Sequence, residues 1–108
     1  VKHRVELSAQ AKIDLIEIHS FIAKQDGVGR ADQVVDELEA AILRLEEFAL
    51  RGLEPPELAG MGKGFLQIRH KPWRIIYKLK GSMVVVVLVS DGRRDFGALL
   101  SRRNLRGR

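Results

Sequence analysis

Apolar positions recur along this chain with two different periods, and each period predicts an element. Residues 3–7 alternate between polar and apolar, enough for a short strand, and Ser8 stands where it would cap a following helix. In that helix Ala11, Leu15, Ile18 and Ile22 recur at helical spacing, opposite Lys12, Glu17 and Lys24. The cluster Asp26-Gly27-Val28-Gly29 predicts its end. A second, longer helix is expected from about residue 30 to 49, with Val34, Leu38, Ala41, Ile42, Leu45 and Phe48 on one stripe and Asp36, Glu37, Glu39, Glu46 and Glu47 opposite. A break of only four residues predicts that the two helices form an antiparallel hairpin.

The pattern dissolves over residues 51–64, RGLEPPELAGMGKG, where proline and glycine predict a loop without regular structure. Its Gly60-x-Gly62-x-Gly64 lacks both a following Lys-Ser or Lys-Thr and a strand-loop-helix setting, so it reads as a connection and not a phosphate cradle. Period two then returns. Residues 65–71 form one predicted strand, which Pro72 ends or interrupts with a bulge, since proline cannot donate to a central ladder. In the next, Trp73, Ile75, Tyr77 and Leu79 share a core-facing side, while Arg74, Ile76, Lys78 and Lys80 share the other. Gly81-Ser82 turns into residues 83–89, an apolar run without alternation, as in a strand covered on both faces. The hairpin covers one face; the C-terminal helix, a second subunit or a partner must cover the other. The expected class is α+β in the order β-α-α-β-β-β: a helix hairpin packed on a small, antiparallel-rich sheet, with a short C-terminal helix.

Composition sets bounds on this picture. The 108 residues suit a single domain spanning 1–108, with 45% hydrophobic and 31% charged residues. No run of 18 apolar residues could cross a bilayer, and the charged start VKHRVELS is unlike a secretory leader, so a cytoplasmic protein is expected. Cysteine is absent, which excludes disulfides, thiolate metal sites and a thiol nucleophile. The net charge is +5, unevenly spread: residues 1–50 hold six basic and ten acidic side chains, residues 51–108 thirteen and four. Six arginines fall within residues 93–108, a positive handle suited to an anionic or acidic partner.

Element order and particular residues together resemble the RelE/ParE superfamily of toxins from type II toxin-antitoxin modules. The resemblance runs over nearly the whole chain. It rests on SAQAKIDLIEIHSFIA in the first helix, the strand WRIIY from Trp73 to Tyr77, and the valine strand that ends in DGRRD. It implies one of two activities: RelE-like cleavage of messenger RNA on the ribosome without a metal, or ParE-like inhibition of DNA gyrase without chemistry of the toxin's own.

Cleavage through a 2′-hydroxyl needs proton-transfer groups and cations for the charge that develops on phosphorus. The resemblance matches Arg74 and Arg94 to the cations. It places a tyrosine or histidine in the C-terminal segment, yet residues 93–108 contain neither, and Leu100 stands near the tyrosine's place. His70, at a strand end, is the remaining candidate base. Tyr77 faces the core, with its hydroxyl expected at the rim. His3 and His19 lack metal-ligand spacing, so neither metal nor cofactor is expected.

The ParE-like reading requires recognition alone. It assigns Arg93, Arg94, Phe96, Leu99, Leu100, Arg102 and Arg103 to the target, since arginine forks onto carboxylate or phosphate and stacks on flat groups. It also implies a ParD-like antitoxin bringing an acidic, amphipathic segment to the hairpin and to the open sheet face, expected at Ile76, Lys78, Val84, Val86 and Leu88. Operator DNA would be bound only through that antitoxin. A further reading, a basic nucleic-acid-binding module, calls for aromatics interleaved with arginines on an exposed sheet face, whereas Ile76 occupies that face and only Phe96 interrupts the basic tail.

Overall fold

The structure is a computed structural model that describes residues 2–62, 64–92 and 96–103. Strand β1 (Arg4–Leu7) leads into helices α1 (Ala9–Asp26) and α2 (Val28–Leu43), followed by strands β2 (Phe65–His70), β3 (Trp73–Lys80) and β4 (Met83–Asp91) and a short helix α3 (Phe96–Arg102). The sheet order is β1-β4-β3-β2, with β1 parallel to β4 and the other pairs antiparallel. This is the expected α+β arrangement.

Ser8 caps α1 as its side chain predicts, its Oγ accepting from the Ala11 amide at 3.1 Å. The break after α1 is shorter than the four residues expected. Gly27 alone makes it, at φ 94°, a conformation that lets α2 start at Val28. Helix α2 in turn ends early, at Leu43, and passes into a 3-10 turn over Arg44–Glu46. The chain therefore leaves the helical stripe before Phe48, which is 53% exposed, and Ala49 is buried instead. Within the 51–64 loop the Pro55-Pro56 pair sets up a second 3-10 turn, Pro56–Leu58.

The sheet separates two cores. On one face Ile75, Tyr77, Val84 and Val86 pack under Leu15, Leu38 and Ile42 of the helices. On the other, Ile76 and Leu88 pack with Leu58 and Phe65 and with Leu99 and Leu100 of α3. The alternation read for β3 holds. In β4 the register slips between Ile76 and Tyr77, which face Leu88 and Val86, so Val87 is an extra residue and the strand's facing shifts beyond it. Val84 and Val86 thus face the helices, Leu88 faces α3, and Val89 returns to the helix side.

Candidate functional site

Arg74 occupies the α3 side of β3 and is 3% exposed. A buried guanidinium must be hydrogen-bonded. Its Nη1 and Nη2 donate to the two carboxylate oxygens of Glu57 at 2.9 and 2.7 Å, and its Nε donates to Gln67 Oε1 at 2.9 Å. Glu57 reaches Arg74 from the 3-10 turn of the loop, and the arginine's hydrogen bonds lower the carboxyl's pKa against the opposing effect of partial burial. The pair pins the loop to the sheet. A second pin lies on the opposite face, where Tyr77 is fully buried; its hydroxyl donates to the Ala49 carbonyl at 2.6 Å and accepts from the Gly52 amide at 3.1 Å. The hydroxyl is therefore inside the protein and not at the rim, and burial raises its pKa.

His70 meets Glu37 of α2 at 2.9 Å, and Lys71 reaches the same carboxylate at 3.0 Å. Hydrogen bonds from the His70 ring and the Lys71 ammonium hold Glu37's pKa down to about 2. His70 thus joins the β2–β3 turn to the hairpin. His19 pairs with Asp32 at 2.7 Å, between α1 and α2. Among the described residues no cluster of His, Asp or Glu is arranged to hold a metal ion.

The residues expected to meet a target or an antitoxin are placed differently from one another. Arg93, Arg94 and the side chain of Phe96 lie outside the described residues, as do Arg106 and Arg108. Arg102 is exposed. Leu99 and Leu100 are not presented outward: at 8% and 0% exposure they fill the core under α3, because a short helix on an apolar strand must turn its leucines inward. The open sheet face expected at Ile76 and Leu88 is covered by those leucines, both positions being fully buried. Val84 and Val86 lie on the helix-covered side. Lys78 remains partly exposed, its Nζ 5.3 Å from the centroid of the Phe65 ring.

Arg103 has a more specific environment. Its Nη1 donates to the Val87 carbonyl at 2.8 Å and its Nη2 to Asp14 Oδ1, while Asp14 Oδ2 accepts from the Val89 amide at 2.9 Å. Burial raises the Asp14 pKa, opposed by the Val89 amide and by Arg103. Beside Asp14 a groove of about 440 Å³ opens, walled by Ile18, Phe21, Trp73 and Val89. Sequence reasoning passed over both Asp14 and Glu57. Asp14 left a sign, a carboxylate within the apolar stripe between Ala11 and Ile18, whereas Glu57 sits in a loop that offers no periodic signal.

The model of the family described as ParE toxin of type II toxin-antitoxin system, parDE, matches residues 5–96. Toxin ParE3 of Caulobacter vibrioides is 28% identical over 90 residues, covering 83% of this chain and 87% of that toxin. Among solved structures, the chromosomal ParDE system of P. aeruginosa superposes with a TM-score of 0.72 at 16% identity, over 83% of this chain and 96% of that one. A RelE toxin mutant of E. coli in the free state gives 0.61 at 13% identity, over 97% of this chain and 99% of that one. The two superpositions show a shared fold, and the match over residues 5–96 shows more: this chain belongs to the ParE toxin family of type II toxin-antitoxin systems.

Proposed function

We propose that this toxin acts by binding DNA gyrase and trapping its cleaved-DNA intermediate, without chemistry of its own. The observation that carries this reading is the state of Arg74. A cation serving RNA cleavage must reach a phosphate in the transition state. Here Glu57 and Gln67 hold the guanidinium in a site 3% exposed, where its work is to fasten the loop. Two further candidate groups support the same conclusion: the Tyr77 hydroxyl bonds within the core, and His70 is paired with Glu37. The name of the Caulobacter relative, Toxin ParE3, favours the same branch.

Membership of the family implies a cognate ParD antitoxin. On our reading this partner brings acidic, apolar chain to the basic end of the sheet, where Lys78 is accessible. Ile76 and Leu88 could meet it only if α3 left the sheet, since its leucines cover them. We assign the target surface to Arg102 together with Arg93 and Arg94, the last two lying outside the described residues.

The test uses purified toxin with gyrase and, in parallel, with translating ribosomes. The expected result is loss of supercoiling with accumulation of cleaved DNA, reversed by the antitoxin. Ribosome-dependent messenger cleavage with gyrase unaffected would overturn the proposal.

A further inference from the structure

We propose that Asp14 is the positioning residue for the C-terminal helix: with Arg103 it forms a clasp across the end of β4 that decides whether α3 stays on the sheet. Strand β1 accompanies β4 only as far as Val86. Beyond that point the Val87 carbonyl and the Val89 amide have no β1 partner, and unpaired backbone groups there would be costly to bury. Two side chains take the missing strand's place. Arg103 donates to the Val87 carbonyl and Asp14 accepts from the Val89 amide, and the two side chains are joined to each other. A helix from the start of the chain and a helix from its end are thereby fixed to the same short stretch of β4.

The chemistry of the clasp suits positioning better than stability. Arg103 uses two separate nitrogens for two acceptors, a fork that lysine cannot copy. Both partners are largely buried, with side-chain exposures of 15% and 9%, so desolvation offsets much of their attraction. The raised proton affinity of Asp14 agrees with that cost. Helix α3 has only seven residues, too few to persist without tertiary support. Among the described side chains, Leu99, Leu100 and Arg103 supply that support. Once the clasp opens, Leu99 and Leu100 are what remains among the described side chains to hold the helix, and its departure uncovers Ile76, Leu88, Leu58 and Phe65.

The experiment compares amide hydrogen exchange in the full chain with Arg103→Ala, Arg103→Lys and Asp14→Asn. Exchange in α3 should rise about tenfold or more in Arg103→Ala and Asp14→Asn while β2 and β3 stay protected. Arg103→Lys should lie nearer to Arg103→Ala than to the parent chain. Adding Asp14→Asn to Arg103→Ala should produce no further rise, and binding of an apolar dye should grow in parallel. Unchanged α3 exchange in both single variants would overturn the clasp; so would an equal rise in every element, which marks general destabilisation. None of these readouts uses gyrase, so failure of the gyrase reading would leave them intact.

Discussion

On one side of the sheet, Ile75, Tyr77, Val84 and Val86 meet two helices of 18 and 16 residues; on the other, Ile76 and Leu88 meet a seven-residue helix and a loop. All six side chains are fully buried. What differs is how the cover is held. The hairpin is itself a packed unit, with Leu15, Leu38 and Ile42 interlocked above the strands. The opposite cover adds to its apolar packing two partly buried ion pairs, Arg74 with Glu57 for the loop and Asp14 with Arg103 for α3. Ion pairs of this kind add little net stability, because desolvation offsets much of their attraction. Equal burial therefore does not imply equal permanence, and the functional surfaces we assign lie around the less permanent cover.

The largest effect expected is on the hairpin side. Leu38 and Leu100 are both 0% exposed. Leu38→Ala should cost about 3 to 4 kcal/mol in urea unfolding, since a cavity in an interlocked core cannot collapse. Leu100→Ala should cost about 2 kcal/mol or less, because α3 can detach and its docking energy limits the loss. Equal losses would erase the distinction between the faces.

Next comes Arg74→Met, which strands the Glu57 carboxylate and should lower stability by about 2 to 3 kcal/mol in thermal unfolding. The partial exposure of Glu57, 29% for its side chain, keeps the loss below that of a wholly buried pair. Adding Glu57→Leu should recover most of it. Gly52→Ala should cost about 1 to 2 kcal/mol, because a Cβ there would lie 2.9 Å from the Gln67 carbonyl oxygen and closer still to the Tyr77 hydroxyl. A loss below about 0.5 kcal/mol would mean that this loop yields readily and is not pinned.

The smallest effect is a pair of opposed pH dependences. Glu37 has its pKa lowered from 4.5 to about 2, so it adds stability above 4.5 that is lost as pH falls toward 2. Asp14 has its pKa raised above 3.8 by burial, with Glu17 adding to the rise and Arg103 and the Val89 amide opposing it. It adds stability below 3.8 that is lost as pH climbs through its folded value. Urea titrations between pH 2 and 7 on Glu37→Gln and Asp14→Asn should each remove one arm of the profile. Asp14→Asn should leave stability at pH 7 no lower while loosening α3, whereas a marked global loss would make the clasp a stabilising element.

Much of the fold was legible in the sequence because it depends on neighbours along the chain. The stripe of Ala11, Leu15 and Ile22, the Ser8 cap and the alternation from Trp73 to Leu79 are properties of contiguous residues, and the structure keeps them. Boundaries were less legible. One glycine did the work of a four-residue break, and α2 stopped five residues before Phe48. In β4 the unbroken valine run carried no alternation from which the extra residue at Val87, and the change of facing beyond it, could be read.

The candidate site was legible only as an inventory. Arg74 was visible as a cation, but its occupation by Glu57, 17 residues earlier in a loop without periodicity, was not. Asp14 was visible as a carboxylate on an apolar stripe, and its partner lies 89 residues away. Element types, helix faces and the accumulation of arginine near the C-terminus follow from local periodicity and composition, which any window of sequence contains. Which arginine is locked in the interior, which leucines turn inward and which carboxylate holds α3 follow from the return of distant segments to one another, because a charge is buried only where the folded chain supplies its counter-charge.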